Sequence, residues 1–150
     1  MPITTDEVKK LRDATGVSVM QCKAALEESG GDFDKAVTIL KSKGSAIAAK
    51  KSARALGAGA VAAYVHGGVI GAMVVLYSET DFVAKNAEFA ALARELAMQV
   101  AAADPADLTA LLEQPYIKDP SKAVKALIDE AVQKFGERIE IGQFSRVSAK

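Results

Sequence analysis

The sequence has one cysteine, one histidine, no net charge and no long apolar run, and each shortage excludes a class of protein. Cys22 cannot close a disulfide within the chain, and with His66 as the lone histidine there is no Cys/His cluster at metal-ligand spacing; this usage fits a reducing compartment such as the cytoplasm. The 19 basic residues balance the 19 acidic ones, so no global field draws the chain to nucleic acid or to a membrane surface. No stretch approaches the ~18 consecutive apolar residues of a membrane span. The opening MPITTDEVKK has neither the apolar core of a signal peptide nor the acid-poor composition of an organellar transit sequence. The expectation is a cytoplasmic protein without direct nucleic-acid or membrane contact.

Catalytic constellations are equally scarce. His66 precedes Gly67 and Gly68, where it reads as a solvent-facing turn residue rather than a general base, and Cys22 lies in an amphipathic segment, where it reads as a small buried hydrophobe. Gly57, Gly59, Gly67, Gly68 and Gly71 match neither a phosphate loop nor a dinucleotide fingerprint. The carboxylates are scattered along helix faces. The reading is a protein that is not an enzyme and needs no cofactor or metal.

What is present is 150 residues, half of them hydrophobic, enough for a small module plus a compact core domain. Thr4 with Glu7 and Ser18 with Gln21 form capping boxes, Asp32 is an N-cap, and Gly16, Gly30 and Gly44 mark helix ends. Val8, Leu11, Met20, Ala24, Leu26, Phe33, Ala36, Val37 and Leu40 recur at helical spacing, one apolar stripe to each helix. Residues 1–44 are therefore expected to form a three-helix bundle. SAIAAKKSARAL follows as a basic linker helix over 45–57, and 58–150 form an α+β core. From Lys35 to Ser78 there are six basic residues and no acidic one, which suits either a solvated face or docking on an acidic partner.

In the core, AVAAYVH and VIGAMVVLYSE flank Gly67-Gly68 and predict a β-hairpin. NAEFAALARELAMQVAAAD predicts a helix capped by Asn86 and stopped before Pro105, with a short helix at ADLTALLE. Asp119-Pro120 reads as an N-cap followed by a first-turn proline, starting a helix through SKAVKALIDEAVQKF that Gly136 closes. ERIEIGQFSRVS alternates as a strand, with Ile139, Ile141 and Phe144 inward. The fold class is α+β: a three-helix bundle, a linker helix, then a three-stranded antiparallel sheet packed with helices on one face.

Three stretches carry a resemblance. LRDATGVSVMQCKAAL is similar to the ubiquitin-associated-like signature, and ETDFVAKN to the core signature, of the bacterial elongation factor Ts family; LLEQPYIKDPSKAV with GERIEIGQFSRV resembles that family's C-terminal core segment. Members usually carry a long region between the helix after TDFVAKN and the LLEQP segment. Here only ADPADLTA and its neighbours fill it, so the chain resembles a short type with the middle of the core missing.

The resemblance implies a non-enzymatic guanine-nucleotide exchange factor that binds the GTPase domain of elongation factor Tu and promotes GDP release during translation elongation. It implies contact through Thr80, Asp81, Phe82 and Val83, with Asp81-Phe82 inserted near the Mg²⁺ and phosphate site, and through Arg12, Thr15, Gly16, Val17 and Met20 of the N-terminal module. The alternative is a Tu-binding or ubiquitin-associated-like adaptor without exchange activity. From residue types alone, Phe82 can instead anchor its turn to its own core, Asp81 or Thr80 can cap the next helix, and Lys85 can be a contact or merely solvated. Leu11, Thr15, Gly16, Val17 and Met20 suit either the bundle core and its turn or a partner-facing loop, with core the better reading for Leu11 and interface the better one for Val17 and Met20. A single core subdomain whose sheet has open edges leads to the expectation of a homodimer.

Overall fold

Thr4 Oγ1 accepts the Glu7 amide at 3.2 Å while the Glu7 carboxylate accepts the Thr4 amide at 2.8 Å, and this reciprocal cap starts helix α1 (Thr5–Thr15) in the computed structural model, which describes residues 2–150. Ser18 caps α2 (Val19–Glu28) and Asp32 caps α3 (Phe33–Lys51), each by accepting an amide three residues on. Their apolar stripes meet in a core of Val8, Leu11, Cys22, Leu26, Ala36 and Leu40. None of these helices is stabilised enough by propensity to stand alone, so the shared core is what holds them.

Gly44 is not a helix end. α3 continues through it to Lys51, because a buried glycine here permits close approach: a Cβ at Gly44 would lie 2.8 Å from Gln133 Oε1. Residues 45–51 thus complete α3 instead of forming an independent linker helix, and irregular chain leads on to Ala58. The protein divides into two units, one running from the N-terminus to Ser52 and taking in Asp129–Gly136, the other made of Ala53–Ile128 and Glu137–Lys150.

The second unit is built on β1 (Ala58–His66) and β2 (Ile70–Ser78), an antiparallel hairpin whose turn takes positive φ at Gly67 (58°) and Gly68 (68°), as the twist of the strands requires. One helical turn, α4 (Asp81–Ala84), leads into α5 (Ala87–Ala103), which packs on β1 and β2 and buries Phe89, Leu96 and Val100. α6 (Leu108–Glu113), a two-stranded ribbon of β3 (Pro115–Tyr116) and β4 (Asp119–Ala123), and α7 (Val124–Phe135), which belongs to the first unit from Asp129 on, precede β5 (Glu140–Ser148). The sheet order is β1-β2-β5, antiparallel throughout, so β2 is central. Val74 pairs with Phe144 but Leu76 with Ile141, which leaves Gly142 and Gln143 both opposite Val75. That bulge explains how Ile141, buried, and Phe144, half-buried, share a face despite their odd spacing.

Asp119-Pro120 does not start a helix. Asp119 Oδ1 accepts the Ser121 amide at 3.2 Å and its hydroxyl at 2.5 Å, a local turn in the ribbon, and Pro120 sits in the short strand β4. The helix begins at Val124, whose amide donates to the Gln114 carbonyl at 2.9 Å. The ribbon is tied to α5 by two side chains. Fully buried Gln99 donates to Gln114 Oε1 and the Pro115 carbonyl and accepts the Ile117 amide at 2.9 Å. Glu95 accepts the Tyr116 hydroxyl and the Lys118 ammonium, each at 2.5 Å.

Burial pushes the Glu95 carboxyl up, but the bonds from Lys118 and Tyr116 and the Lys118 charge outweigh it and hold the group below its ordinary value of 4.5. A carboxyl lowered on folding stabilises the fold above its unfolded pKa and loses that contribution as pH falls through the lower folded value. Glu95→Gln is therefore expected to flatten the acid limb of stability below pH 4.5, measured as the urea midpoint against pH. Identical acid limbs in the variant and the wild type would remove Glu95 from the pH response.

Candidate functional site

Strand β2 ends at Ser78, which is fully buried and turns the chain at once by donating its hydroxyl to the Thr80 carbonyl at 3.0 Å. Thr80, extended at φ −125° and ψ 153°, is the N-cap of α4 and accepts the Val83 amide at 3.4 Å. Asn86 then caps α5 by accepting the Glu88 amide at 2.8 Å. With one helical turn between two caps, the side chains divide cleanly. Val83 (5 % exposed) and Ala84 point into the core, whereas Asp81, Lys85 and Phe82 point out, Phe82 being 87 % exposed.

This division settles which side chain holds the turn: Val83 anchors it, and Thr80 rather than Asp81 caps it. A phenylalanine left in water forgoes the ~1.5–3 kcal/mol that burial would contribute. Phe82 is thus presented on a backbone fixed by others.

The fixing extends across the sheet. The Glu137 carboxylate accepts the amides of Glu79 (3.1 Å) and Thr80 (3.0 Å) on one oxygen and the Thr80 hydroxyl (2.6 Å) on the other. Glu79 in turn accepts the Arg138 amide at 2.9 Å and lies 3.6 Å from the Arg54 guanidinium. Arg138 donates to the Arg54 carbonyl and pairs with Glu140 at 2.8 Å. Glu79, Glu137 and Arg138 carry no local signal in the sequence, because their partnership spans nearly 60 residues and exists only through the β2–β5 pairing.

The N-terminal residues form a second constellation, confined to the first unit. Thr15 donates its hydroxyl to the Leu11 carbonyl at 2.7 Å and accepts the Val17 amide at 3.3 Å, while Gly16, at φ 72°, ends α1 by donating to the Arg12 carbonyl at 2.7 Å. Arg12 is exposed beside Asp13. Met20 is 83 % exposed, as an outward residue should be. Val17 differs from the expectation that its side chain faces out: at 4 % exposure it fills the bundle core, and its carbonyl accepts the Cys22 thiol at 3.5 Å. Burial pushes that thiol's pKa up, consistent with an unreactive core residue. Val19, 50 % exposed, takes the outward place beside Met20; the signal was there, since both fall off the Cys22–Leu26 stripe.

His66 is exposed, with Nδ1 2.9 Å from the Tyr64 hydroxyl. Among the described residues, no group of three or more His, Cys, Asp or Glu side chains is arranged to hold a metal ion, and no helix is long and apolar enough to cross a membrane. The arrangement offers exposed apolar side chains on rigid turns, which is the equipment of a protein-binding surface.

A family model described as Elongation factor TS matches residues 79–150, starting at the turn that carries Phe82. A protein described as Elongation factor Ts from Thermodesulfovibrio yellowstonii is 40 % identical over 190 aligned positions, covering 97 % of this chain and 96 % of that protein. Another from Leptospira biflexa is 40 % identical, with 97 % of each covered, and one from Carboxydothermus hydrogenoformans is 40 % identical, covering 96 % of this chain and 88 % of that protein. The alignment of 190 positions exceeds the chain's 150 residues by 40, so at least 40 positions of the first relative have no counterpart here.

Since Phe82 is almost fully exposed, Phe82→Ala is expected to change the unfolding free energy by no more than ~0.5 kcal/mol in a urea titration, as at other surface sites. A loss of ~3 kcal/mol, the scale for a buried phenylalanine, would show the ring to be part of the core.

Proposed function

The chain belongs to the elongation factor Ts family, a family of translation elongation factors, and from that premise we propose that it is a non-enzymatic guanine-nucleotide exchange factor that binds elongation factor Tu and promotes GDP release. The observation that carries this reading is Phe82, exposed on a capped and clamped turn beside Asp81. In the mechanism proposed, Phe82 enters between helices of the GTPase domain and holds them in a shifted arrangement. Asp81 competes for donors around the Mg²⁺ that neutralises the phosphates, loosening metal and nucleotide together. Thr80 and Val83 set the turn, and Val83 acts from inside the core.

Linkage makes the effect reciprocal: a factor that weakens GDP binding by some ratio is itself weakened by GDP in the same ratio. A thousandfold effect needs ~4 kcal/mol, while burying one phenylalanine contributes ~1.5–3 kcal/mol. Other contacts must supply the remainder. The N-terminal loop at Arg12, Thr15 and Gly16, with Met20 and Val19 exposed beside it, supports a second point of attachment to the same partner. The function so read is cytoplasmic and calls for no nucleic-acid or membrane contact.

The absence of at least 40 aligned positions favours one competing reading, an adaptor that holds Tu without promoting exchange. Stopped-flow release of labelled GDP from Tu separates the two. The wild-type chain is expected to accelerate release, and Phe82→Ala and Asp81→Ala to lower that acceleration about tenfold or more, a change of ~1.4 kcal/mol. Binding of Tu with an unchanged release rate would select the adaptor.

The same missing segment supports homodimerisation. Val61, Val65, Met73 and Val147 are exposed on one face of the sheet, with Val65 and Val147 flanking Gly71 in register, and a second copy would cover that apolar surface. Sedimentation is expected to give a dimer at micromolar concentration, and a monomer there would count against it.

A further inference from the structure

We propose that Glu137 is a positioning residue for nucleotide exchange: its carboxylate fixes the direction in which β2 releases the chain into the Asp81-Phe82 turn. The proposal rests on the exchange reading above and deepens it. The regular ladder between β2 and β5 ends at the pair Tyr77 and Glu140. Beyond it the two chains still run side by side, but side chains replace the ladder. Glu137 takes both successive amides of Glu79 and Thr80, and Glu79 takes the amide of Arg138.

An ionised carboxylate is acceptor-only, and three convergent donors at 2.6–3.1 Å occupy both its oxygens in charge-assisted bonds. What distinguishes this from general cross-linking is the third donor. The Thr80 hydroxyl donates to Glu137 and accepts from the Val83 amide, so one hydroxyl connects the carboxylate to the first turn of α4. Phe82, almost fully exposed, has little packing of its own to orient it; the direction of its ring follows from the backbone of that turn. Without Glu137, Glu79 and Thr80 would bond to water, and the turn would have to be ordered when the partner binds, at a cost to the exchange-active state. Glu137 touches no partner in this scheme and acts through Thr80.

The test is a double-mutant cycle read by stopped-flow GDP release from Tu, with the factor varied to separate maximal rate from half-saturating concentration. Glu137→Ala is expected to lower the maximal accelerated rate about tenfold while raising the half-saturating concentration less, because the N-terminal contact persists. Glu137→Gln, which keeps an oxygen for the two amides, should retain most of the rate. The decisive arm is Phe82→Ala with Glu137→Ala, in which the Glu137 substitution is expected to cost clearly less than it does in the wild type, since only Asp81 is left for the clamp to place. An equal further loss in that background would mean that Glu137 supports the fold generally, and a wild-type rate for Glu137→Ala would overturn the proposal outright. Should Glu137→Ala fail to fold by circular dichroism, Thr80→Val takes its place: it removes the hydroxyl connection, and a full rate for it is equally fatal. If the wild-type chain itself leaves GDP release unchanged, the exchange reading falls too. Active wild type, impaired Phe82→Ala and unimpaired Glu137→Ala would remove Glu137 alone.

Discussion

The central position of β2 is the constraint from which the second unit follows. Paired on both sides, β2 has no freedom along its length, and its inward residues Ala72, Val74 and Leu76 commit one face of the sheet to α5. Its exit is as constrained as its body, because buried Ser78 bends the chain onto Thr80 and the Glu137 carboxylate holds the next two amides. A chain leaving a sheet under these conditions can hide Val83 and Ala84 only by exposing the residues between them and the cap. Phe82 is exposed for that reason, and the cost of its exposure falls on a unit whose core is closed by Phe89, Leu96, Val100 and Ile139.

Features decided within a few residues were legible in the sequence. Thr4, Ser18, Asp32 and Asn86 all cap helices, as expected of residues that accept an amide two or three positions on, and Gly67-Gly68 takes the positive φ of a hairpin turn. Packing overrides the local signal at three places. Gly44 has a helix-ending composition but serves close approach of Gln133, and Asp119-Pro120 has the signature of a helix start but is spent on a turn inside a ribbon held by Gln99 and Glu95. The inward side chain of Val17 belongs to the same class, since a loop residue beside a glycine gives no periodicity from which to infer its face.

The candidate site was legible in a different way. The Asp81-Phe82 pair is conspicuous by position, an aromatic just past a buried strand, but spacing alone leaves anchor and wedge both open and leans toward the anchor. Exposure decides that Phe82 is no anchor, and it does so because a single helical turn has room for only one buried side. Glu137 could not be found by such reasoning. Its role depends on two chain segments brought together by a bulged strand pairing, and neither GERIEIG nor ETDFVAKN contains a hint of the other.

The rigidity of the turn bears on how little contact surface a short chain needs. Ordering an interface costs free energy that must be met from the contacts made, and a wedge that is flexible before binding spends part of its burial energy on being ordered. Here the caps at Thr80 and Asn86, the anchor at Val83 and the bonds to Glu137 complete that ordering during folding, so that under the proposed exchange mechanism little of the ~1.5–3 kcal/mol from burying a phenylalanine would be spent on ordering the turn. The same logic applies to the N-terminal loop, where Thr15 and Gly16 tie the α1–α2 connection by hydrogen bonds and leave Met20 and Val19 outward. If both loops engage one partner as proposed, two preorganised attachments of modest size would do together what a larger and looser surface does, and neither depends on the at least 40 aligned positions of the relative that this chain lacks.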